Sequence, residues 1–94
     1  MAWELGSLSK RLELVRELRR SNFYVRWHAY EFLLGYGGRL VGVLLLEPSR
    51  SRATLYCRRD APLEEIEKAV RKSLAAAAAG RVELIVRVED VDKP

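Results

Sequence analysis

The stretch from Ser51 to Glu89 limits the possible folds more than any other part of this chain. Between Arg52 and Arg58, Ala53, Leu55 and Cys57 alternate with Thr54 and Tyr56, the period of two expected of a strand with one buried face. Asp60 and Pro62 end that run. Glu64, Glu65 and Glu67 then crowd a first helical turn, where the helix dipole favours negative charge. Leu63, Ile66, Val70, Leu74 and Ala77 recur at steps of three and four and make one apolar stripe. Gly80 is placed for a left-handed cap. From Arg81 the period of two returns, with Val82, Leu84, Val86 and Val88 on one side. Strand, helix and strand of these lengths read as one βαβ unit. Its helix needs a sheet to cover, and the rest of that sheet must come from residues 1–50.

The first fifty residues are less decisive. Residues 1–8 read as an N-terminal arm, with Trp3 available for packing. In Ser9–Arg20, Leu8, Leu12, Val15 and Leu18 suit a helix, whereas Leu12, Leu14 and Leu18 also suit a strand. Ser21 or Asn22 can cap a helix carrying Phe23, Trp27, Tyr30 and Leu34, yet the same residues are aromatic and β-branched enough for a strand. Gly35-Tyr-Gly-Gly38 ends that element. Leu40–Leu46 is apolar throughout, as a strand covered on both faces would be. Glu47–Ser51 turns the chain back into Arg52–Arg58 as an antiparallel hairpin. Two architectures fit. One is strand, helix, strand, strand, helix, strand; the other opens on a helix and makes residues 22–34 a strand.

Composition narrows the class. With 94 residues, 49% hydrophobic and 32% charged, the chain is expected to be one soluble domain spanning 1–94, its last residues 90–94 a tail. Its first residues do not resemble a signal peptide, and no apolar run is long enough for a membrane span, so a cytoplasmic address is expected. One cysteine and one histidine leave no disulfide framework and no metal site to assemble. Cys57 has the buried parity of its strand and reads as an inert thiol. His28 has no partner at a telling spacing, and Glu64 and Glu65 are explained by the dipole. Neither a catalytic constellation nor a cofactor is expected.

Arginine is what remains. The formal charge is +4, and 11 of the 17 basic residues precede Asp60. Arginine suits bidentate phosphate contact. Antiparallel pairing brings Arg39, at one strand's start, near Arg58 and Arg59 at the next strand's end, and leaves Arg50 and Arg52 at the opposite rim. Tyr56 has the outward parity between them. An aromatic flanked by basic side chains suits stacking and phosphate contact on RNA. A second basic cluster runs from Lys10 to Arg26.

Trp27-x-Ala29, Leu34-Gly35-x-x-Gly38, Leu55-Tyr56-Cys57-Arg58, a helix, a glycine and a Val-rich strand together resemble the Pop-five family. Its members are small RRM-like protein subunits of archaeal and eukaryotic ribonuclease P. The likeness spans residues 25–88 and rests on motif order. It implies an α+β, ferredoxin-like βαββαβ fold: a four-stranded antiparallel sheet with two helices on one face, residues 22–37 being the first helix. It also implies a non-catalytic subunit that binds ribonuclease P RNA in precursor-tRNA maturation, beside a TIM-barrel protein subunit and a second copy of itself. The family's segment beyond the last strand has no counterpart before Pro94. Two alternatives stand beside it. One is a ferredoxin-like domain that dimerises and binds a small ligand; the other is a helix-first module similar to the Alu-domain-binding proteins of the signal recognition particle.

Overall fold

The computed structural model describes residues 4–78 and 82–89. They form an α+β unit, with two α-helices packed on one face of a five-stranded mixed sheet. A short 3-10 turn, Glu4–Gly6, leads into helix α1 (Leu8–Arg20). Four strands follow, β1 (Tyr24–His28), β2 (Glu31–Tyr36), β3 (Arg39–Glu47) and β4 (Arg52–Arg58), and then α2 (Leu63–Ala77) and β5 (Glu83–Glu89). The strands lie in chain order across the sheet. The first three pairings are antiparallel and β4–β5 is parallel. The βαβ unit read from the sequence is therefore present, with its strands adjacent. The four-stranded antiparallel sheet is not: there are five strands, and the chain opens on a helix.

The helix-first order has local causes. Ser7 caps α1, its hydroxyl accepting from the Lys10 backbone N–H at 3.2 Å. Leu14, Val15 and Leu18 are buried along one side of the helix, while Arg19 and Arg20 suit the negative end of its dipole. Asn22, with φ +72°, ends it. Residues 22–37 are then not a helix but mainly a hairpin, β1 paired with β2 from Tyr24↔Gly35 to His28↔Glu31. The helical spacing of Phe23, Trp27, Tyr30 and Leu34 competes with an equally good alternation. Val25 and Trp27 turn inward while Tyr24, Arg26 and His28 turn outward. Aromatic and β-branched side chains favour the pleated surface, and cross-strand contacts reward it. Trp27 stacks on Phe32 at 5.7 Å between ring centroids. Ala29 and Tyr30 make the two-residue turn, Ala29 at φ +54°.

One face of the sheet makes the core. Val25, Phe32, Leu34, Leu44, Leu46, Ala53, Leu55 and Cys57 are buried together with Leu14 and Leu18 of α1 and Ile66, Val70, Leu74 and Ala77 of α2. The apolar stripe expected on the second helix is that packed face. Leu5, expected in a loose arm, is fully buried. Arg11 ties this first turn down, donating to the carbonyls of Leu5 and Gly6 at 3.2 and 2.8 Å and lying 4.2 Å over the Tyr30 ring. Helix α2 ends at Ala77, with Ala78 already extended. Gly80, Trp3 and the 90–94 tail lie outside the described residues.

Among the described residues no helix covers the other face. Its centre is nevertheless apolar: Leu33, Val43, Leu45, Tyr56 and Ile85 are all half-buried there. The Leu40–Leu46 strand is thus covered by helices on one side only. Among the described residues no helix is long and apolar enough to cross a membrane.

Candidate nucleic-acid interface on the open sheet face

Strand pairing orders the open face into rows. One row runs Arg26, Leu33, Val43, Tyr56, Arg87, one residue from each strand in turn. Neighbouring strands lie about 4.8 Å apart, so the row is roughly 19 Å long. An arginine stands at each end, on the two edge strands, and both are exposed. Between them are two aliphatic side chains and Tyr56.

The rows are not alike in charge. At the far end of the face lie Glu31, Glu47 and Glu83. Arg52 pairs with Glu83 at 3.2 Å, and Thr54 donates to Glu47 at 3.2 Å. Arg50, in the 3-10 turn Pro48–Arg50, is exposed beside this end. At the other end stand Arg39, Arg58 and Arg59, with Glu89 of β5 opposite Arg58. Arg39 and Arg58 both bind Asp60, at 2.7 and 3.2 Å, and hold its carboxyl down to about 2 from the usual carboxylate value, the Arg58 hydrogen bonds contributing most. Arg59 is exposed, its backbone N–H bonded to the Glu89 carbonyl at 2.9 Å.

The residues expected to bind RNA therefore divide. Arg39 and Arg58 do meet at one rim, with Arg59 following in the chain, but an aspartate lies between the first two. Arg50 and Arg52 fall at the acidic rim. Tyr56 has the outward side expected, opposite Val43 and Arg87. Arg87 was not singled out from the sequence. Its place beside Tyr56 depends on the parallel β4–β5 register, which periodicity does not supply. Arg26 falls outside the early basic cluster once residues 24–28 are a strand. Of the rest of that cluster, Lys10 pairs with Glu13 and Arg20 with Glu17 along α1, Arg19 donates to the Val25 carbonyl of β1, and Arg16 is exposed.

Two hollows open on this face. One, of about 370 Å³, is lined by Tyr24, Gly35, Arg39 and Leu40 with the Tyr36–Gly38 turn. The second, of about 310 Å³, lies between Arg26, His28, Glu31, Leu33 and Val43. Among the described residues no group of three or more His, Cys, Asp or Glu is placed to hold a metal ion. Cys57 is fully buried on the helix side, and burial pushes its thiol above the ordinary value.

Comparison with family models, with curated proteins and with solved structures gives no match for this chain.

Proposed function

We propose that this protein is a non-catalytic RNA-binding module that takes a single-stranded segment of RNA across the open face of its sheet. The observation that carries the reading is the row Arg26–Leu33–Val43–Tyr56–Arg87. It offers a stacking ring, an apolar floor and a cation at each end, on a face that no helix among the described residues covers. Aromatic stacking and arginine contact together are the chemistry of strand binding without duplex readout. An apolar floor alone would equally serve a protein partner. The two terminal arginines, neither with an ion-pair partner among the described residues, favour a polyanion.

Ribonuclease P RNA is the target that the motif order suggests, and a signal-recognition-particle Alu RNA is the one that the helix-first order suggests. The first has lost one support. Trp27-x-Ala29 and Leu34-Gly35-x-x-Gly38, helical in the Pop-five family, lie on the β1–β2 hairpin and its flanking turn here. The RNA reading rests on the sheet face and not on that motif.

The test is a salt titration of binding to a uridine-rich single strand, a ribonuclease P catalytic-domain RNA and an Alu-domain RNA, with a plain duplex as control. Affinity for at least one RNA should fall steeply with salt. Arg26→Ala with Arg87→Ala should reduce the log–log slope by about 1–2, the loss of two phosphate contacts. Binding that ignores salt, or a double variant that binds like wild type, rejects the reading.

A further inference from the structure

The hollow at the end of β1 is built around a glycine. On the open face Tyr24 of β1 pairs with Gly35 of β2, and Gly35 pairs with Leu40 of β3. Tyr24 and Leu40 are 60% and 48% exposed, among the most exposed large apolar residues described. A side chain at Gly35 would bring its Cβ to 3.1 Å from Tyr24 Cβ and 3.4 Å from Tyr24 Cδ2. The tyrosine ring therefore leans across the glycine, over the space that a side chain would fill. Folding alone does not require this aromatic to be so open, because the core lies on the opposite face of the strand.

The bulge in β3 completes the hollow. Leu34 pairs with Gly42 and Gly35 with Leu40, which leaves Val41 without a partner in β2. Val41 turns into the core and Leu40 outward. Strands β1 and β3 are about 9.6 Å apart. With Tyr24 leaning over β2, a planar ring can lie on its exposed face beside Leu40, at contacts of about 3.5–4.0 Å. The volume, about 370 Å³, is at the small end of ligand-sized pockets, roughly 300–1,000 Å³. Among the described residues no acidic side chain lines the hollow; Arg39 lines it with its guanidinium bound to Asp60, and Arg26 lies exposed two residues beyond Tyr24 on the same face of β1. A planar group with an attached anion matches both features.

We propose that the Tyr24–Gly35–Leu40 hollow holds one nucleobase of a single-stranded RNA, stacked on Tyr24, with the adjoining phosphate at Arg26. This rests on the RNA-binding reading and adds to it a base-holding site outside the central row. Every base has a π-face, so stacking selects a strand with unpaired bases more than it selects a sequence.

The test uses the full chain and an oligouridylate of about eight nucleotides, within the span of small single-strand binders, carrying one 4-thiouridine. Irradiation should crosslink that base to Tyr24 or Leu40, mapped by mass spectrometry. Tyr24→Ala should weaken binding about tenfold without changing the salt slope, while Tyr24→Phe should bind like wild type. Thermal unfolding should be nearly unchanged in both, because Tyr24 is exposed. Crosslinks confined to Tyr56, with Tyr24→Ala binding as wild type, overturn the hollow and leave the RNA reading intact. No RNA bound by the wild type at low salt rejects both. Free uridine monophosphate competing as well as the oligomer also overturns the proposal, since the hollow would then be a small-ligand site.

Discussion

The guanidinium of Arg39, at the start of β3, reaches the carboxylate of Asp60, in the turn after β4, at 2.7 Å. Arg58 shares the same carboxylate. Asp60 thus joins two arginines that would otherwise repel, and it reduces the positive charge at this rim. Its carboxyl is held at about 2, below the unfolded value, so ionised Asp60 stabilises the fold at pH above about 4. That contribution should disappear as pH falls through 2. Urea unfolding of wild type and Asp60→Asn should therefore differ at pH 6 and converge near pH 2. A constant difference across that range would show that the ion pairs do not form in solution. The same variant should bind RNA more tightly at neutral pH, since one negative charge leaves the basic rim.

Gly42 lies against β4 so closely that a Cβ there would collide with the Tyr56 carbonyl oxygen and approach Cys57 Cα to 3.2 Å. Both are backbone atoms and cannot swing away. Gly42→Ala should cost about 3 kcal/mol or more, against about 1 kcal/mol for an average substitution. Equilibrium denaturation measures it, and a midpoint close to wild type would place the β3–β4 register elsewhere.

Ala29 presents the reverse case. It holds φ +54° in the β1–β2 turn, a conformation costing an L-residue roughly 1–2 kcal/mol. Glycine adopts it readily but loses about 0.4–1 kcal/mol of chain entropy on folding. Ala29→Gly should stabilise the protein by about 0.5–1 kcal/mol net. Destabilisation would mean that residues 29 and 30 do not form this turn.

Cys57 is enclosed in the core with Ile66 and Val70. Cys57→Ser places a hydroxyl there and should cost about 1–3 kcal/mol, with RNA affinity of the folded protein unchanged. Burial also raises the thiol's pKa, so a thiol reagent should label native protein slowly and unfolded protein fast. Fast native labelling would contradict the core placement.

These elements show where the sequence was informative. From Arg52 to Glu89 local pattern and tertiary need agree. Ile66, Val70 and Leu74 lie on the buried side of α2, and the residue types of the two flanking strands alternate in sequence, so the βαβ unit is legible. Residues 9–34 carry two patterns at once. Phe23, Trp27, Tyr30 and Leu34 satisfy a helix, and Val25, Trp27, Phe32 and Leu34 satisfy two strands. Only the contacts made across the hairpin separate them, and the motif resemblance favoured the wrong one. The candidate site was half legible for a related reason. Parity alone turns Tyr56 outward, but pairing Arg87 with it and Arg26 with Leu33 requires registers between distant segments.

The open face is polarised along its strands, and that separates arginines which look equivalent in the sequence. Arg52 pairs with Glu83 and Glu47 lies opposite it, so an approaching phosphate meets two carboxylates there. Arg87 adjoins Tyr56 instead. Arg52→Ala should leave RNA affinity within about twofold and the salt slope unchanged, because no phosphate contact is lost. Its effect on stability should be small as well, about 0–1 kcal/mol for a largely exposed pair. Arg87→Ala should lower the slope by about 1 in the same titration. Exposed Arg50, beside the acidic end, should follow Arg52. If Arg50→Ala and Arg52→Ala weaken binding while Arg87→Ala does not, the RNA crosses the opposite end of the sheet, and Tyr56 would be too far along the strand to stack on it.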